Sequence, residues 1–274
     1  MPELPEVETV RRGLASQVTG RAVARVRIFP DRVPLVRGTT PEAFAAALAG
    51  RRLECVERRG KYLLFRLSGG LWWIAHLRMT GSVRLRRPEE PPDPHLRAVL
   101  TLDDGRELRW ADVRKFGTWQ LAEDPDAALP SLGPDALDAG RFTLEHLRRA
   151  AVRRRTPVKS FLLDQTVVAG LGNIYADEVL HAARVPPDRL AAALSEAELE
   201  RLWRAIPAVL ERALAHGGTS FRDFVDSSGV LGRYLEVAWV HRRAGHPCPV
   251  CGGPVASGRI GGRSTYWCPR CQAG

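Results

Sequence analysis

The first eight residues, Met1-Pro-Glu-Leu-Pro-Glu-Val-Glu8, contain side chains and an amine that could carry covalent chemistry. Removal of Met1 would turn the Pro2 nitrogen into a free secondary amine, and chain-end amines titrate near pH ~8. The unprotonated amine attacks an aldehyde carbon to give an iminium. Glu3 lies beside it and could act as a general acid. A helix start, with Pro in the first turn and Glu favoured by the helix dipole, explains the same residues without any reaction.

Four of the five cysteines form a metal-binding pattern. Cys248 and Cys251 make one CxxC pair, Cys268 and Cys271 make a second, and 16 residues separate the pairs. This spacing predicts a structural zinc ion, because four thiolates leave no open coordination position for catalysis. Such cysteine usage fits a reducing compartment better than a disulfide scaffold.

Between the two cysteine pairs, residues 258–266 predict a small β-hairpin with glycines and arginines at its turn. Arg263 near the tip could enter a DNA groove or bind a phosphate. A solvated turn arginine explains the same residue.

Lysine is scarce in this chain. Only Lys61, Lys115 and Lys159 are lysines, and 38 of the 41 basic residues are Arg. Lysine differs from arginine because it is a compact point charge that can lose its proton. Lys61 and Lys159 are therefore candidate functional residues, although three lysines could also survive by chance.

Three further segments could bind nucleic acid. Residues 170–178 form a glycine-containing turn that leads into a helix, where backbone amides and Asn173 could hold a phosphate. Met79, on a Gly-bounded turn, could be a wedge in a base stack, although such a Met is more often part of a core. Arg114 and Phe116 lie two apart, on one face of an extended segment, and could fill the gap left by an extruded base.

The charge of the whole chain indicates a polyanionic partner. The net charge is +10 and the isoelectric point is about 10.1, which favours nucleic acid over a membrane surface, although an Arg-rich genome would have the same effect. No apolar run approaches the roughly 20 residues of a membrane span, and the acidic N-terminus lacks a signal-peptide core. We expect a cytoplasmic, nucleoid-associated protein, and a monomer because no coiled coil or apolar stripe is evident.

The periodicity of the chain predicts an α+β fold of two domains. In the first half, residues 5–18 and 41–48 predict helices, and alternating apolar residues with turn signals predict an antiparallel β-sandwich or barrel. Its predicted strands are 21–30, 53–58, 61–67, 71–76, 82–85, 97–102, 107–110 and 118–121. In the second half, helical periodicity dominates. Its predicted helices are 143–154, 157–168, 173–183, 195–214 and 219–225, and a strand is predicted over 235–241.

Together these motifs resemble the formamidopyrimidine-DNA glycosylases, bacterial enzymes that excise 8-oxoguanine. The resemblance covers essentially the whole chain in order: the N-terminal motif, Arg-Gly-Lys61-Tyr-Leu-Leu, His-Leu-Arg-Met79-Thr-Gly, Asp-Val-Arg-Lys-Phe-Gly117, Gly-Leu-Gly-Asn173-Ile-Tyr-Ala and the four-cysteine finger. It implies an N-terminal β-sandwich, a helix-two-turns-helix domain with a zinc hairpin, and double-stranded DNA bound in the cleft between the domains. The implied boundaries are 1–130 for the catalytic domain, 131–140 for a linker, 141–234 for the helix-two-turns-helix domain and 235–274 for the zinc finger.

The resemblance also implies residue roles. Pro2 would be the nucleophile at C1′ of a flipped-out nucleotide, which requires removal of Met1 because a Met1–Pro2 peptide nitrogen is not nucleophilic. Glu3 would be the acid/base that opens the sugar, Lys61 the proton donor for β-elimination and Arg263 that for δ-elimination. The implied DNA contacts are His95, Arg114, Arg155, Lys159 and Asn173, with Met79, Arg114 and Phe116 filling the void. The segment 217–222 would cover the flipped base.

Two other functions remain open at this stage. An endonuclease VIII-like enzyme would share the fold but act on oxidised pyrimidines; the N-terminal motif and the complete set of void-filling residues argue against it. A non-catalytic DNA-binding module would leave the retention of Lys61 unexplained.

Overall fold

Two units make up the computed structural model of the chain, which describes residues 1–219 and 231–273. Unit 1 comprises Met1–Pro130 with Gly217–Arg233, and unit 2 comprises Ser131–His216 with Tyr234–Gly274. The predicted helix over 219–225 and the predicted base-covering segment 217–222 both extend beyond Thr219. Their residues from Ser220 onward lie outside the described residues.

Unit 1 is built on two four-stranded antiparallel sheets, as the sequence predicts. The first has the order β1-β6-β7-β5 and the second the order β2-β3-β4-β8. The strands are β1 (Val23–Ile28), β2 (Leu53–Arg59), β3 (Tyr62–Leu67), β4 (Trp72–His76), β5 (Gly81–Arg86), β6 (Leu96–Leu102), β7 (Glu107–Asp112) and β8 (Thr118–Ala122). Trp110 from the first sheet meets Trp119 from the second edge-on, with ring centroids 5.4 Å apart in a shared apolar core.

The helices of unit 1 within the described residues are α1 (Leu4–Val18), α2 (Pro41–Leu48) and α3 (Pro125–Ala128). The predicted apolar face of α1 is confirmed, because Val7, Val10, Leu14 and Val18 are all buried in the core. This burial packs α1 against strands β2 and β3.

Unit 2 is mainly helical, and its helices are α4 (Leu144–Ala151), α5 (Val158–Leu163), α6 (Asn173–Ala183) and α7 (Glu196–Ala215). Both predicted N-caps are confirmed: the hydroxyl of Thr143 accepts from the His146 amide, and Ser195 forms a capping box with Glu198. The zinc-finger hairpin is formed by β9 (Ala256–Ile260) and β10 (Arg263–Trp267), which pair antiparallel. The predicted α+β class is thus confirmed.

Two predicted elements of unit 2 are wrong. The helix predicted over 157–168 ends at Leu163, because the carboxylate of Asp164 instead accepts hydrogen bonds from the backbone and hydroxyl of Thr166 in a turn. The strand predicted over 235–241 is a short 3-10 helix, Tyr234–Glu236, followed by turns. The backbone amides of residues 239–241 point at the buried carboxylate of Glu178 rather than at a neighbouring strand.

Candidate active site and nucleic-acid interface

The N-terminal residues are held in place by Glu6. Pro2 and Glu3 are buried, and the Glu3 amide donates to Glu6 Oε2 at 2.7 Å. The other oxygen, Glu6 Oε1, accepts from the Thr219 amide at 2.6 Å. A Cβ on Gly218, whose φ is +75°, would lie 2.8 Å from the same oxygen, so glycine is required there. One carboxylate therefore fixes both the start of α1 and the chain just before residue 220.

Lys61 lies in the turn between β2 and β3 and is 5 % exposed. The turn consists of Gly60 and Lys61, and the positive φ of Gly60 (57°) suits glycine at the first position of a two-residue hairpin. Arg58 holds this turn, because its Nη1 donates to Gly60 O at 2.9 Å while its Nε donates to Glu8 Oε2 at 3.1 Å. The α1 helix is thus linked through Glu8 to the hairpin that carries Lys61.

Glu8 is the acceptor for a cluster of three arginines. Burial works to raise its pKa, but hydrogen bonds from Arg11 and Arg12 and the charges of Arg11 and Arg58 outweigh it and lower the pKa to about 2. Glu8 is therefore an anion at all physiological pH values and can hold Arg58 in place.

His76 supports the turn that follows β4. Its Nδ1 accepts from the Arg78 amide at 2.8 Å, and its ring meets Tyr62 edge-on. Burial, with the nearby charges of Arg78 and Lys61, lowers the pKa of His76 to about 3, so the ring is neutral and Nδ1 can accept. Arg78 has a φ of +54°, in the left-handed region that favours glycine.

Met79, Arg114 and Phe116 come together in one exposed group, which we call the wedge cluster. Arg114 Nη1 lies 2.9 Å from the sulfur of Met79, and the Arg114 guanidinium lies 4.9 Å from the centre of the Phe116 ring. Met79 is 42 % exposed and Phe116 is 47 % exposed. Large apolar side chains held at a surface by a cation suit insertion into a base stack better than they suit a core.

Asp112, 1 % exposed, holds both loops of the wedge cluster. Its Oδ1 accepts from the Thr80 hydroxyl at 2.6 Å and from the Arg114 amide at 3.2 Å, and its Oδ2 accepts from the Gly117 amide at 2.7 Å. The Thr80 hydroxyl in turn accepts from the Arg114 amide at 2.9 Å. Sequence reasoning missed Asp112, although an Asp two residues before a loop position is the signal of an Asx turn.

Two other residues border these loops. Lys115, which has no sequence-based explanation, pairs its Nζ with Asp31 Oδ2 at 2.7 Å and lowers the pKa of that carboxyl. His95 is exposed at a φ of +59°, and its carbonyl accepts from the Asp112 amide at 3.0 Å.

The four predicted site residues of unit 2 differ in their exposure and in their contacts. Arg155 and Arg263 are exposed, whereas Lys159 is 0 % exposed and donates from Nζ to Asp177 Oδ1 at 2.7 Å. Asn173 begins α6, and its Nδ2 donates to Ser264 O at 2.9 Å. In this arrangement the ammonium of Lys159 has no surface from which to contact DNA.

The four cysteines have the geometry of a zinc site. All four sulfurs lie within 4.8 Å of one another; the Cys248–Cys271 and Cys251–Cys268 sulfur pairs are 3.8 Å and 3.4 Å apart. A tetrahedral zinc–thiolate site with bonds of about 2.3 Å places its sulfurs about 3.8 Å apart. The donor set and spacing therefore fit one zinc ion whose four coordination positions are all filled by cysteine.

His181 on α6 and Gln272 near the C-terminus connect this metal centre to the rest of unit 2. His181 Nε2 lies 3.3 Å from Cys248 Sγ, and burial with the charge of Arg184 lowers the pKa of His181 to about 4. Its Nδ1 meets no hydrogen-bonding partner among the residues described, so we place the ring proton on Nε2, as a donor to the sulfur. Gln272 accepts from the Cys268 amide and donates to Val185 O.

Known proteins match almost the whole length of the chain. Family models for the formamidopyrimidine-DNA glycosylase N-terminal domain, the formamidopyrimidine-DNA glycosylase H2TH domain and a zinc finger found in FPG and IleRS match residues 1–119, 132–225 and 245–274. The formamidopyrimidine-DNA glycosylase of Heliobacterium modesticaldum is 47 % identical over 99 % of this chain and 100 % of its own length. The chain belongs to the formamidopyrimidine-DNA glycosylase family.

Solved structures of this family superimpose on the chain over its whole length. A mutant FPG of Lactococcus lactis in complex with a Fapy-dG containing DNA has a TM-score of 0.91 and 34 % identity, with 100 % of both chains covered. The L. lactis Fpg bound to DNA with an abasic site has a TM-score of 0.90 and 35 % identity, with 99 % of this chain and 100 % of that one covered. Within residues 1–219 and 231–273, no helix is long and apolar enough to cross a membrane.

Proposed function

We propose that this protein is a bifunctional DNA glycosylase and AP lyase that removes oxidised purines, such as 8-oxoguanine and formamidopyrimidines, from double-stranded DNA in base excision repair. The observation that carries the proposal is the wedge cluster, exposed and buttressed by Asp112, in a chain of this family. An enzyme that extrudes a base must fill the space it leaves. The endonuclease VIII-like alternative is not favoured, because the full-length relatives are formamidopyrimidine-DNA glycosylases.

In the proposed reaction, the free amine of Pro2 forms a bond to C1′ as the bond from C1′ to the base breaks and the base leaves with a proton. Glu3 protonates the ring oxygen, which opens the sugar and leaves an iminium between Pro2 and C1′. Burial of Glu3 and the hydrogen bond from its amide to Glu6 support a fixed position for this acid. Met1 must be removed first.

The iminium then acts as the electron sink for strand cleavage. Loss of a C2′ proton expels the 3′ phosphate from C3′, and Lys61 supplies the proton to this leaving group. Loss of a C4′ proton then expels the 5′ phosphate from C5′, with Arg263 as donor. Water hydrolyses the iminium and frees Pro2. The position of Lys61 on a hairpin turn linked to α1 through Glu8 and Arg58 supports its role.

The remaining surface would bind DNA by charge and shape. We propose that exposed Arg155 and His95, with Asn173 at the start of α6, contact phosphates, and that zinc on the four cysteines holds the hairpin that carries Arg263. Residues 1–130 would form the catalytic domain, 131–140 a linker, 141–234 the helix-two-turns-helix domain and 235–274 the finger. The proposed DNA substrate supports a location on the nucleoid, and the four-cysteine metal site supports the reducing cytoplasm. We also propose that the protein is a monomer.

Borohydride trapping tests the proposed function. We expect a covalent adduct, mapped to Pro2 by mass spectrometry, on duplex DNA with 8-oxoguanine opposite cytosine. A matched control keeps residues N-terminal to Pro2, because the exposed Met1 position tolerates an extension while the nitrogen stays an amide. An adduct in both proteins would refute Pro2 as the nucleophile. An adduct only with an oxidised pyrimidine would replace the proposed substrate class, and no adduct with any lesion would leave a DNA-binding module.

A further inference from the structure

A buried ionic network in unit 2 joins helix α5, helix α6 and the turn that contains His241. Lys159 on α5 and Asp177 on α6 are both fully buried, and Lys159 Nζ lies 2.7 Å from Asp177 Oδ1. The second oxygen, Asp177 Oδ2, lies 2.7 Å from His241 Nδ1. Burying two charges is costly unless geometry and further hydrogen bonds compensate. The network therefore needs an explanation beyond the stability of the fold.

The remaining donors of Lys159 point at the strand that carries Arg263. Nζ donates to Ser264 O at 2.7 Å and to Thr265 Oγ1 at 2.9 Å, so its three N–H groups have three acceptors. The Thr265 hydroxyl donates onward to Arg263 O at 3.0 Å. Lys159 is thereby connected to the backbone carbonyl of Ser264 directly and to that of Arg263 through the Thr265 hydroxyl.

Neighbouring contacts fix the same end of the hairpin. Asn173 Nδ2 also donates to Ser264 O, which thus receives two hydrogen bonds. Gly261 in the turn lies so close to the Ser160 side chain that a Cβ there would collide with its hydroxyl. Gly261 and Gly262 both have positive φ values, 56° and 74°, as a two-residue hairpin turn of the favoured twist requires.

We propose that Lys159 is a positioning residue for Arg263: from its buried site it fixes β10 so that the exposed guanidinium of Arg263 meets the 5′ phosphate during δ-elimination. This inference rests on the proposed function and replaces the contact with DNA that the sequence predicts for Lys159. The side chain of Arg263 is exposed, whereas its backbone carbonyl is held by the Thr265 hydroxyl. A shift of about 1 Å in a catalytic group can cost about a hundredfold in rate.

The proposal also explains why lysine occupies position 159. A compact ammonium directs three N–H groups at a carboxylate, a carbonyl and a hydroxyl around one atom. A guanidinium spreads its five donors over a rigid plane, so it cannot direct three of them from one atom at these three acceptors. Lys159→Arg should therefore fail to restore the function of the network.

The test separates the two elimination products on duplex DNA that contains a preformed abasic site. Arg263→Gln sets the reference: we expect the ratio of δ product to β product to fall about tenfold. Lys159→Met and Lys159→Arg should lower the same ratio by at least about threefold, with trapping at Pro2 retained. Thr265→Val removes only the hydroxyl that links Lys159 to Arg263 O, and it should also lower the ratio of δ product to β product. It replaces Lys159→Met as the test if that variant does not fold.

Thr143→Val is the matched control. It makes the same chemical change in unit 2 but removes the N-cap of α4 instead, so it should lower stability and leave the product ratio at the wild-type value. Bound zinc, measured per chain, should stay at one in every variant. A merely structural role for Lys159 lowers both products together and leaves their ratio unchanged.

The outcomes are distinguishable. An unchanged ratio in folded Lys159→Met and Thr265→Val overturns the inference while the proposed function stands. An unchanged ratio in Arg263→Gln refutes the role of Arg263 and the inference with it. Absence of any strand cleavage by the wild-type protein refutes the proposed lyase itself. A selective loss of δ product in Lys159→Met or Thr265→Val, but not in Thr143→Val, supports the inference.

Discussion

Replacing Asp112 should uncouple base removal from strand cleavage. Its carboxylate accepts from the Thr80 hydroxyl and the Arg114 and Gly117 amides, and it therefore joins the two loops that carry the wedge cluster. In Asp112→Ala, the buried Gly117 amide loses its acceptor, at a cost of about 1–3 kcal/mol. The other two donors belong to partly or fully exposed residues and should cost about 0.5–1.5 kcal/mol each, which gives a total of about 2–6 kcal/mol.

The isosteric change Asp112→Asn should have a smaller effect. The amide oxygen can keep the two hydrogen bonds now made to Oδ1, but the NH₂ group would face the Gly117 amide, donor against donor. We expect a loss of about 1–3 kcal/mol, confined to that one contact. Urea unfolding of both variants measures these differences.

The functional assay compares two substrates. Without fixed loops, Met79 and Phe116 cannot hold an opened base stack, so excision of 8-oxoguanine should fall by about tenfold or more. Cleavage of a preformed abasic site, which needs no base extrusion, should fall by less than about threefold. Leu108→Ala is the control, because it makes a cavity of similar cost in the same strand, β7, away from both loops. Equal losses on both substrates in Asp112→Ala would refute this reasoning.

Three further changes have defined outcomes. Glu8→Gln should reduce the loss of unfolding free energy as pH falls from about 4.5 to about 2 by the share that Glu8 contributes, because the folded Glu8 carboxylate stays ionised down to about 2 and the unfolded one does not; an unaltered acid denaturation profile would contradict this. Arg78→Gly should raise the unfolding free energy by about 0.5 kcal/mol. The reason is that removing the strain of a left-handed arginine stabilises the folded state by more than the extra entropy of glycine stabilises the unfolded chain. A decrease of the unfolding free energy by more than about 1 kcal/mol, measured by urea unfolding, would contradict this. His181→Phe should weaken zinc binding about tenfold in chelator competition, whereas His146→Phe on α4 should not. Equal zinc affinities of the His181→Phe and wild-type proteins would exclude the hydrogen bond from His181 Nε2 to Cys248 Sγ.

Regular elements with an apolar period were predictable from the sequence. The face of α1 formed by Val7, Val10, Leu14 and Val18 is buried where a 3.6-residue period places it. The four cysteines were equally accessible to prediction, since their spacing alone defines two metal-binding turns. In both cases the signal is local, because residues close in the chain determine the structure.

Features that the sequence did not predict depend instead on residues far apart in the chain. Residues 235–241 alternate as a strand would, but Glu178, about 60 residues earlier in the chain, takes their amides. Lys159 was a candidate because lysine is rare, and rarity indicated that the residue matters without indicating where it lies. Its burial beside Asp177 depends on how α5 and α6 pack, which no local pattern reports. The same holds for Lys115, whose acceptor is Asp31.

The carboxylates that sequence reasoning overlooked share one physical property. A carboxylate offers about four acceptor positions and no donor, so a single buried one can fix several backbone amides that belong to no helix or sheet. Glu6 joins the N-terminus to Thr219, Asp112 joins the loops of the wedge cluster, and Glu178 orders the chain before the zinc finger. Each supports a loop next to proposed chemistry rather than performing it. Their amide isosteres keep the shape but supply donors where only acceptors fit, so such conservative changes should disturb function more than their small size suggests.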